Sequence, residues 1–187
     1  MKSEDFLRII HASLESAEVP YMLTGSLASS LHGVPRATHD VDFVVAPTRE
    51  QLRLLLERFK RMGLYVSTEA AIAALARKTD FNVIDFEGGG KVDLVIKKDR
   101  PFSDAEFNRR RKVDFDGLSM SVATAEDIVI AKLEWAKIGG SDRQIDDVAG
   151  ILRVQKEALD SGYIEQWVGS LGLEEQWQVA RAKAGTV

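Results

Sequence analysis

Two carboxylates, Asp40 and Asp42, stand two positions apart inside the run Asp40-Val41-Asp42-Phe43-Val44-Val45. The run alternates and is rich in β-branched residues, which predicts a half-buried strand. Side chains two apart on a strand share a face, so both carboxylates point the same way, roughly 6.5 Å apart along the chain. Carboxylates that close repel each other unless a cation sits between them. An all-oxygen donor set selects hard divalent ions, Mg²⁺ or Mn²⁺, which commonly arrive with nucleotide phosphates. A third acid, Asp93, lies in the apolar run Lys91-Val92-Asp93-Leu94-Val95-Ile96, where a buried carboxylate is costly without a partner. Asp85, across the Gly88-Gly89-Gly90 turn, competes for that role in a less continuous hydrophobic context.

A phosphate-binding element precedes the acids. Tyr21-Met22-Leu23 reads as a short strand after Pro20, and Ser26 to His32 as a short helix ended by Gly33. Gly25 and Ser26 then fall on the strand-to-helix turn, fourteen positions before Asp40 in the case of Ser26. Glycine allows backbone to approach a ligand there, and a helix N-terminus offers unpaired N–H groups to a phosphate. Farther on, Lys132 lies four after Ile128 and three before Trp135, which puts its stem on an apolar stripe. Its amine either snorkels to water or is delivered to triphosphate oxygens.

The elements that must position these residues follow from periodicity. Phe6, Ile10, Leu14 and Ala17 define an amphipathic helix that starts at Ser3 and ends before Pro20. Thr48 and Gln51 form a capping-box pattern opening a helix that Gly63 closes. Leu64 to Ser67 suggests a strand, 69–77 an alanine-rich helix, and the runs on either side of Gly88-Gly89-Gly90 an antiparallel hairpin. Ser103-x-x-Glu106 predicts a helix start, 113–120 a hairpin around Asp116-Gly117, and Thr124 the cap of a largely buried helix. Another helix carries Ile145, Val148, Ile151 and Leu152, with Arg143 and Asp147 spaced to pair across one turn, and two more close the chain. Trp135, Trp167 and Trp177 all fall in this last third and read as core. The pattern predicts an α+β protein, a mixed β-sheet flanked by helices with a C-terminal helical extension. The composition shift near residue 124 divides it into a catalytic core, 1–123, and a helical region, 124–187.

Composition sets outer bounds. The 187 residues suit one compact domain that buries roughly 70% of its unfolded surface. Cysteine is absent, which excludes thiol catalysis, Cys-based zinc sites and disulfides. No apolar run approaches the roughly 20 residues of a membrane span, and the first residues lack a leader-like apolar core. The expectation is a cytoplasmic protein without membrane contact. A net charge of −4 argues against broad nucleic-acid binding. Two local basic clusters, Lys97-Lys98-Asp99-Arg100 and Arg109-Arg110-Arg111-Lys112, read as solvated faces or as the grip on a polyanionic acceptor such as RNA.

Taken together, Gly25-Ser26, Asp40-x-Asp42 and Asp93 resemble the signature of the DNA polymerase beta-like nucleotidyltransferase superfamily. Within it, the stretch from His32 to Asp42 is similar to minimal bacterial nucleotidyltransferases related to abortive-infection toxin-antitoxin components. The segment from Thr124 to Leu133 resembles their lysine-bearing helix, and Ser141 to Val148 a later block in which an aspartate often stands where this chain has Gln144. The resemblance implies a nucleotidyltransferase-type sheet and two-metal transfer of a nucleoside monophosphate from a nucleoside triphosphate to a hydroxyl of RNA, protein or a small molecule. It implies Asp40, Asp42 and Asp93 as catalytic Mg²⁺ or Mn²⁺ ligands, Asp93 also as proton acceptor, and Gly25, Ser26, Arg36 and Lys132 as nucleotide-binding residues. Arg36 reads equally as a surface residue paired with an acid. The competing implication is a catalytically silent nucleotide binder or toxin-antitoxin partner of the same fold, acting with a partner protein or a second copy of itself.

Overall fold

The computed structural model describes residues 3–38, 40–115 and 117–185. In chain order its elements are α1 (Ser3–Ser16), β1 (Tyr21–Thr24), α2 (Gly25–His32), β2 (Asp40–Val45), α3 (Arg49–Arg61), α4 (Thr68–Arg77), β3 (Asp80–Asp85) and β4 (Gly90–Ile96). They continue with α5 (Pro101–Arg109), β5 (Arg111–Phe115), β6 (Leu118–Val122), α6 (Ala125–Gly139), α7 (Asp142–Gln155), α8 (Ser161–Leu171) and α9 (Glu174–Ala184). This is an α+β fold with a mixed sheet. The chain forms two compact units that are not consecutive stretches of sequence: residues 1–23 and 39–122 make a sheet unit, and 24–38 with 123–187 a helical unit.

The sheet unit holds six strands in the order β3-β4-β2-β1-β6-β5. β2 and β4 run parallel, as do β1 and β6, while the β3–β4 and β5–β6 hairpins are antiparallel. Strand alternation sorts the residues cleanly. Phe43, Val45, Phe81, Val83, Val92, Leu94 and Ile96 are buried on one face, together with Ile10 and Leu14 of α1 and Leu55 and Phe59 of α3. Thr48 closes the capping box with Gln51 as its sequence predicts, which sets the start of α3. Two local expectations shift. Leu64 to Ser67 contributes a single bridge, Tyr65 to Ile84, in place of a strand. α5 begins two residues before Ser103, because Pro101 with its fixed φ occupies the first turn. Asp116, expected in a turn, lies outside the described residues.

In the helical unit α6 is buried on most sides, by Ile128, Val129, Ile130 and Leu133, and α2, α7 and α8 pack on it. Trp177 is buried and Trp167 partly so, but Trp135 is well exposed, so the expectation of three core tryptophans fails at Trp135 and is met only in part at Trp167. Among the described residues, no helix is long and apolar enough to cross a membrane. The end of α2 meets the backbone of α7 closely: a Cβ on Gly33 would lie 2.8 Å from the Ile151 backbone nitrogen and 3.0 Å from the Gly150 carbonyl carbon. Backbone cannot step aside as a flexible side chain can. Gly33→Ala is therefore expected to cost about 1–3 kcal/mol of stability, read as a lower denaturant midpoint with unchanged slope.

Candidate active site

The pairing register of β2 with β4 builds the acidic face. Asp40 lies opposite Lys91 and Asp42 opposite Asp93, and on the far side of β4 Asn82 lies opposite Asp93. Laterally paired residues share a face, and so do residues two apart along a strand. Asp40, Asp42, Lys91, Asp93 and Asn82 therefore all stand on the sheet face opposite Phe43, Val92 and Leu94. That face is only partly covered: the Asp93 side chain is 25% exposed and Lys91 47%. Asp85 is separated from this group by parity. It is buried on the other face, where its Oδ1 accepts from the Glu87 amide and its Oδ2 has no hydrogen-bond partner. Asp93, and not Asp85, is the acid that the register brings beside Asp40 and Asp42.

Sequence reading had not singled out Lys91. Its ammonium donates to Asp93 Oδ2 at 2.9 Å. That hydrogen bond holds Lys91 above its ordinary pKa against the opposing pull of desolvation, and the charges of Asp93, Asp40 and Asp42 add to it. The signal was available, since Lys91 stands two residues before Asp93 and must share its face. The donor chemistry of the three carboxylates suits a hard divalent cation, and an ammonium already leans on one of them. Among the described residues, no three His, Asp or Glu side chains are already gathered closely enough to hold an ion.

The remaining sequence-predicted site residues meet in the helical unit. Gly25 has a φ of 66°, a left-handed conformation that glycine adopts without strain and that turns β1 into α2. The Thr24 side chain does not cap the helix it precedes. Arg36 reaches back to Ser26, donating from Nη2 to Ser26 Oγ at 2.5 Å. The same guanidinium grips Asp147 in a fork, Nε to Oδ1 at 2.8 Å and Nη2 to Oδ2 at 3.0 Å. Lys132 completes the cluster, donating to Asp147 Oδ2 at 2.7 Å and Gln144 Oε1 at 2.9 Å.

Lys132 is thus not a snorkelling lysine: its side chain is 5% exposed, beside 7% for Asp147. Arg36 pairs with an acid, one of its two readings. That acid is Asp147, which the helical spacing had assigned to Arg143. The two basic clusters of the sheet unit are engaged locally. Lys97 pairs with Asp104, Arg100 donates to Ser103, Arg110 lies over the Phe107 ring and bonds the Phe107 carbonyl, and Lys112 pairs with Glu15. Such pairing favours their reading as an ordinary surface.

No protein-family model matches the chain, and no curated protein matches it. Solved structures do. An antigenic nucleotidyltransferase-like protein from Paracoccidioides brasiliensis superposes with a TM-score of 0.58 at 17% identity, over 97% of this chain and 93% of that one. The chain has the nucleotidyltransferase fold. The antibiotic-resistance factor ANT(2'')-Ia shares it, with a TM-score of 0.54 at 15% identity over 97% of this chain and 92% of its own in solution. Its crystal structure with adenylyl-2''-tobramycin gives a TM-score of 0.52 at 15% identity, over 97% and 96% of the two chains.

Within that fold the Asp147 cluster is a testable electrostatic unit. Burial alone raises the Asp147 pKa, but hydrogen bonds from Arg36 and Lys132, with their charges, outweigh burial and leave it below its ordinary value. A carboxyl whose folded pKa is depressed stabilises the protein above its unfolded pKa and loses that contribution as pH falls through the folded one. Stability is therefore expected to decline below about pH 4, and Asp147→Asn to remove that component of the decline. Asp147→Ala leaves two cations without their shared carboxylate and is expected to cost about 3–5 kcal/mol in denaturant unfolding at neutral pH.

Proposed function

We propose that this protein is a metal-dependent nucleotidyltransferase that moves a nucleoside monophosphate from a nucleoside triphosphate to a hydroxyl-bearing acceptor. The observation that carries the reading is the register of β2 on β4, which collects Asp40, Asp42 and Asp93 on one partly open face of a nucleotidyltransferase fold. Asp40, Asp42 and Asp93 are the residues that would hold Mg²⁺ or Mn²⁺. Bound there, the ions would neutralise charge on phosphoryl oxygens and lower the pKa of the attacking hydroxyl. Asp93 is the proposed acceptor of that hydroxyl's proton, within the requirement that a general base lie in hydrogen-bond reach. Ser26, the amides of the first α2 turn and Arg36 are the proposed holders of the triphosphate.

Lys132 is proposed to act at one remove. Its amine is already spent on Asp147 and Gln144, so its part is to fix the carboxylate that in turn orients Arg36. The acceptor is an RNA, a protein or a small molecule. ANT(2'')-Ia, captured with adenylyl-2''-tobramycin, is a precedent for the last. A relationship to abortive-infection toxin-antitoxin proteins, with action on a partner protein or a second copy, belongs to the same proposal. The occupied Lys132 amine favours one second reading, a protein of this fold that binds nucleotide without transferring it.

Transfer of α-phosphate label from each nucleoside triphosphate, with Mg²⁺ or Mn²⁺, into RNA, protein and small-molecule fractions separates the two. Label is expected in one fraction with the wild type and at background with the Asp40→Ala/Asp42→Ala double variant. The single variant Asp42→Ala is expected to lose metal-dependent nucleotide binding in calorimetry while its melting temperature holds or rises slightly, because a carboxylate repulsion has been removed. Binding without label would favour the silent reading. Unchanged metal and nucleotide binding by Asp42→Ala would refute the assignment of the site.

A further inference from the structure

The acidic face carries its own cation. Asp40, Asp42 and Asp93 are confined by strand register to neighbouring positions, and the fourth member of that two-by-two block, opposite Asp40 and two before Asp93, is Lys91. Its ammonium sits 2.9 Å from Asp93 Oδ2. The stem is anchored on a central strand of the sheet, paired on both sides by β2 and β3, which keeps the amine within reach of these acids. A chain that needed nothing but carboxylates at this position could carry any polar residue opposite Asp40. A lysine there lowers the repulsion among the acids when no other cation is present, and a divalent ion must contend with it.

We propose that Lys91 is an internal counter-cation of the carboxylate set, which holds the acids together in the metal-free protein and lowers their intrinsic affinity for divalent ions. The proposal rests on the metal-binding reading above and adds a residue that sets its strength. It makes Lys91 a positioning residue that acts through Asp93. The consequence is a site that fills poorly with free metal and is completed by the metal–nucleotide complex, whose phosphates add negative charge where Lys91 adds positive. A unit positive charge about 6 Å from a divalent ion in water-like surroundings changes its affinity roughly tenfold at low salt. Water-like surroundings are the right choice for a side chain this exposed.

The test uses the full chain and Mn²⁺ alone, without nucleotide, titrated at low ionic strength by loss of the free-ion electron-paramagnetic-resonance signal. Lys91→Met is expected to bind Mn²⁺ about tenfold more tightly than wild type, and Lys91→Arg, which keeps the charge, within about twofold of it. In chelator, Lys91→Met is expected to melt below wild type and to gain more from added Mn²⁺, a pattern that simple loss of packing does not produce. Lys91→Gln replaces the methionine variant if that variant does not fold. Wild-type binding with no gain in Lys91→Met overturns the role of Lys91 and leaves the metal site standing. Absence of Mn²⁺ binding in wild type and variant alike overturns both.

Discussion

Like charges resist being gathered, and the parallel register of β2 against β4 gathers three of them. Once Asp42 is fixed opposite Asp93 and Asp40 opposite Lys91, alternation decides every neighbouring assignment. Phe43 and Leu94 must turn to the core, Asp93 must stand beside Asp42, and Asp85 must go to the other side. A slip of one residue in that pairing would bury the acids and expose the phenylalanine. The hydrophobic face thus does double duty: the burial that stabilises the sheet also enforces the electrostatically unfavourable arrangement on its other side. A cation is the natural relief, and Lys91 supplies one within the chain.

The helical unit solves a related problem in the opposite sense. There two cations converge on a single carboxylate, Asp147, which is shared by a bidentate arginine and a lysine. Ion pairs withdrawn from water add little net stability, because desolvation consumes most of the attraction, yet breaking one is expensive. Such a cluster is better understood as a device for orientation. Arg36 is held so that the same guanidinium that grips Asp147 also meets Ser26 at the start of α2. The fork geometry of the guanidinium makes both contacts compatible, which a lysine at position 36 could not do.

What could be read from sequence tracks what is local. The strand carrying Asp40 and Asp42, the Thr48 capping box, the Gly25-Ser26 turn and the Thr124 cap all depend on residues within a few positions, and each has its place in the fold. The pairing of Asp42 with Asp93 was inferable only as a shared chemistry, since register between strands fifty residues apart has no local signal. Helical spacing pointed Asp147 to Arg143, but the pair that forms joins it to a residue 111 positions earlier. Lys132 was ambiguous for the same reason: its stripe was evident, its partner was not. Trp135 shows the limit of composition, because a large aromatic in an apolar helix still has an outward side.

The division of the chain carries a cost in time. The helical unit is completed by contacts between Gly25–Thr38 and residues beyond Ala123, among them Arg36 with Asp147 and the His32 carbonyl with Gln155, 123 positions apart. Contacts this distant in sequence close late and slow folding. During synthesis at about 5–20 residues per second, Arg36 waits roughly 5–20 s for its carboxylate to be made. For that interval the nascent chain holds a strand-to-helix turn and a half-buried arginine with neither their acid nor the backbone that Gly33 is shaped to meet. A fragment ending at Val122 would keep them so permanently, and residues 123–187 alone would lack the helix that fills their α6–α7 surface. The unit is one object in space that ribosomes must deliver in two instalments.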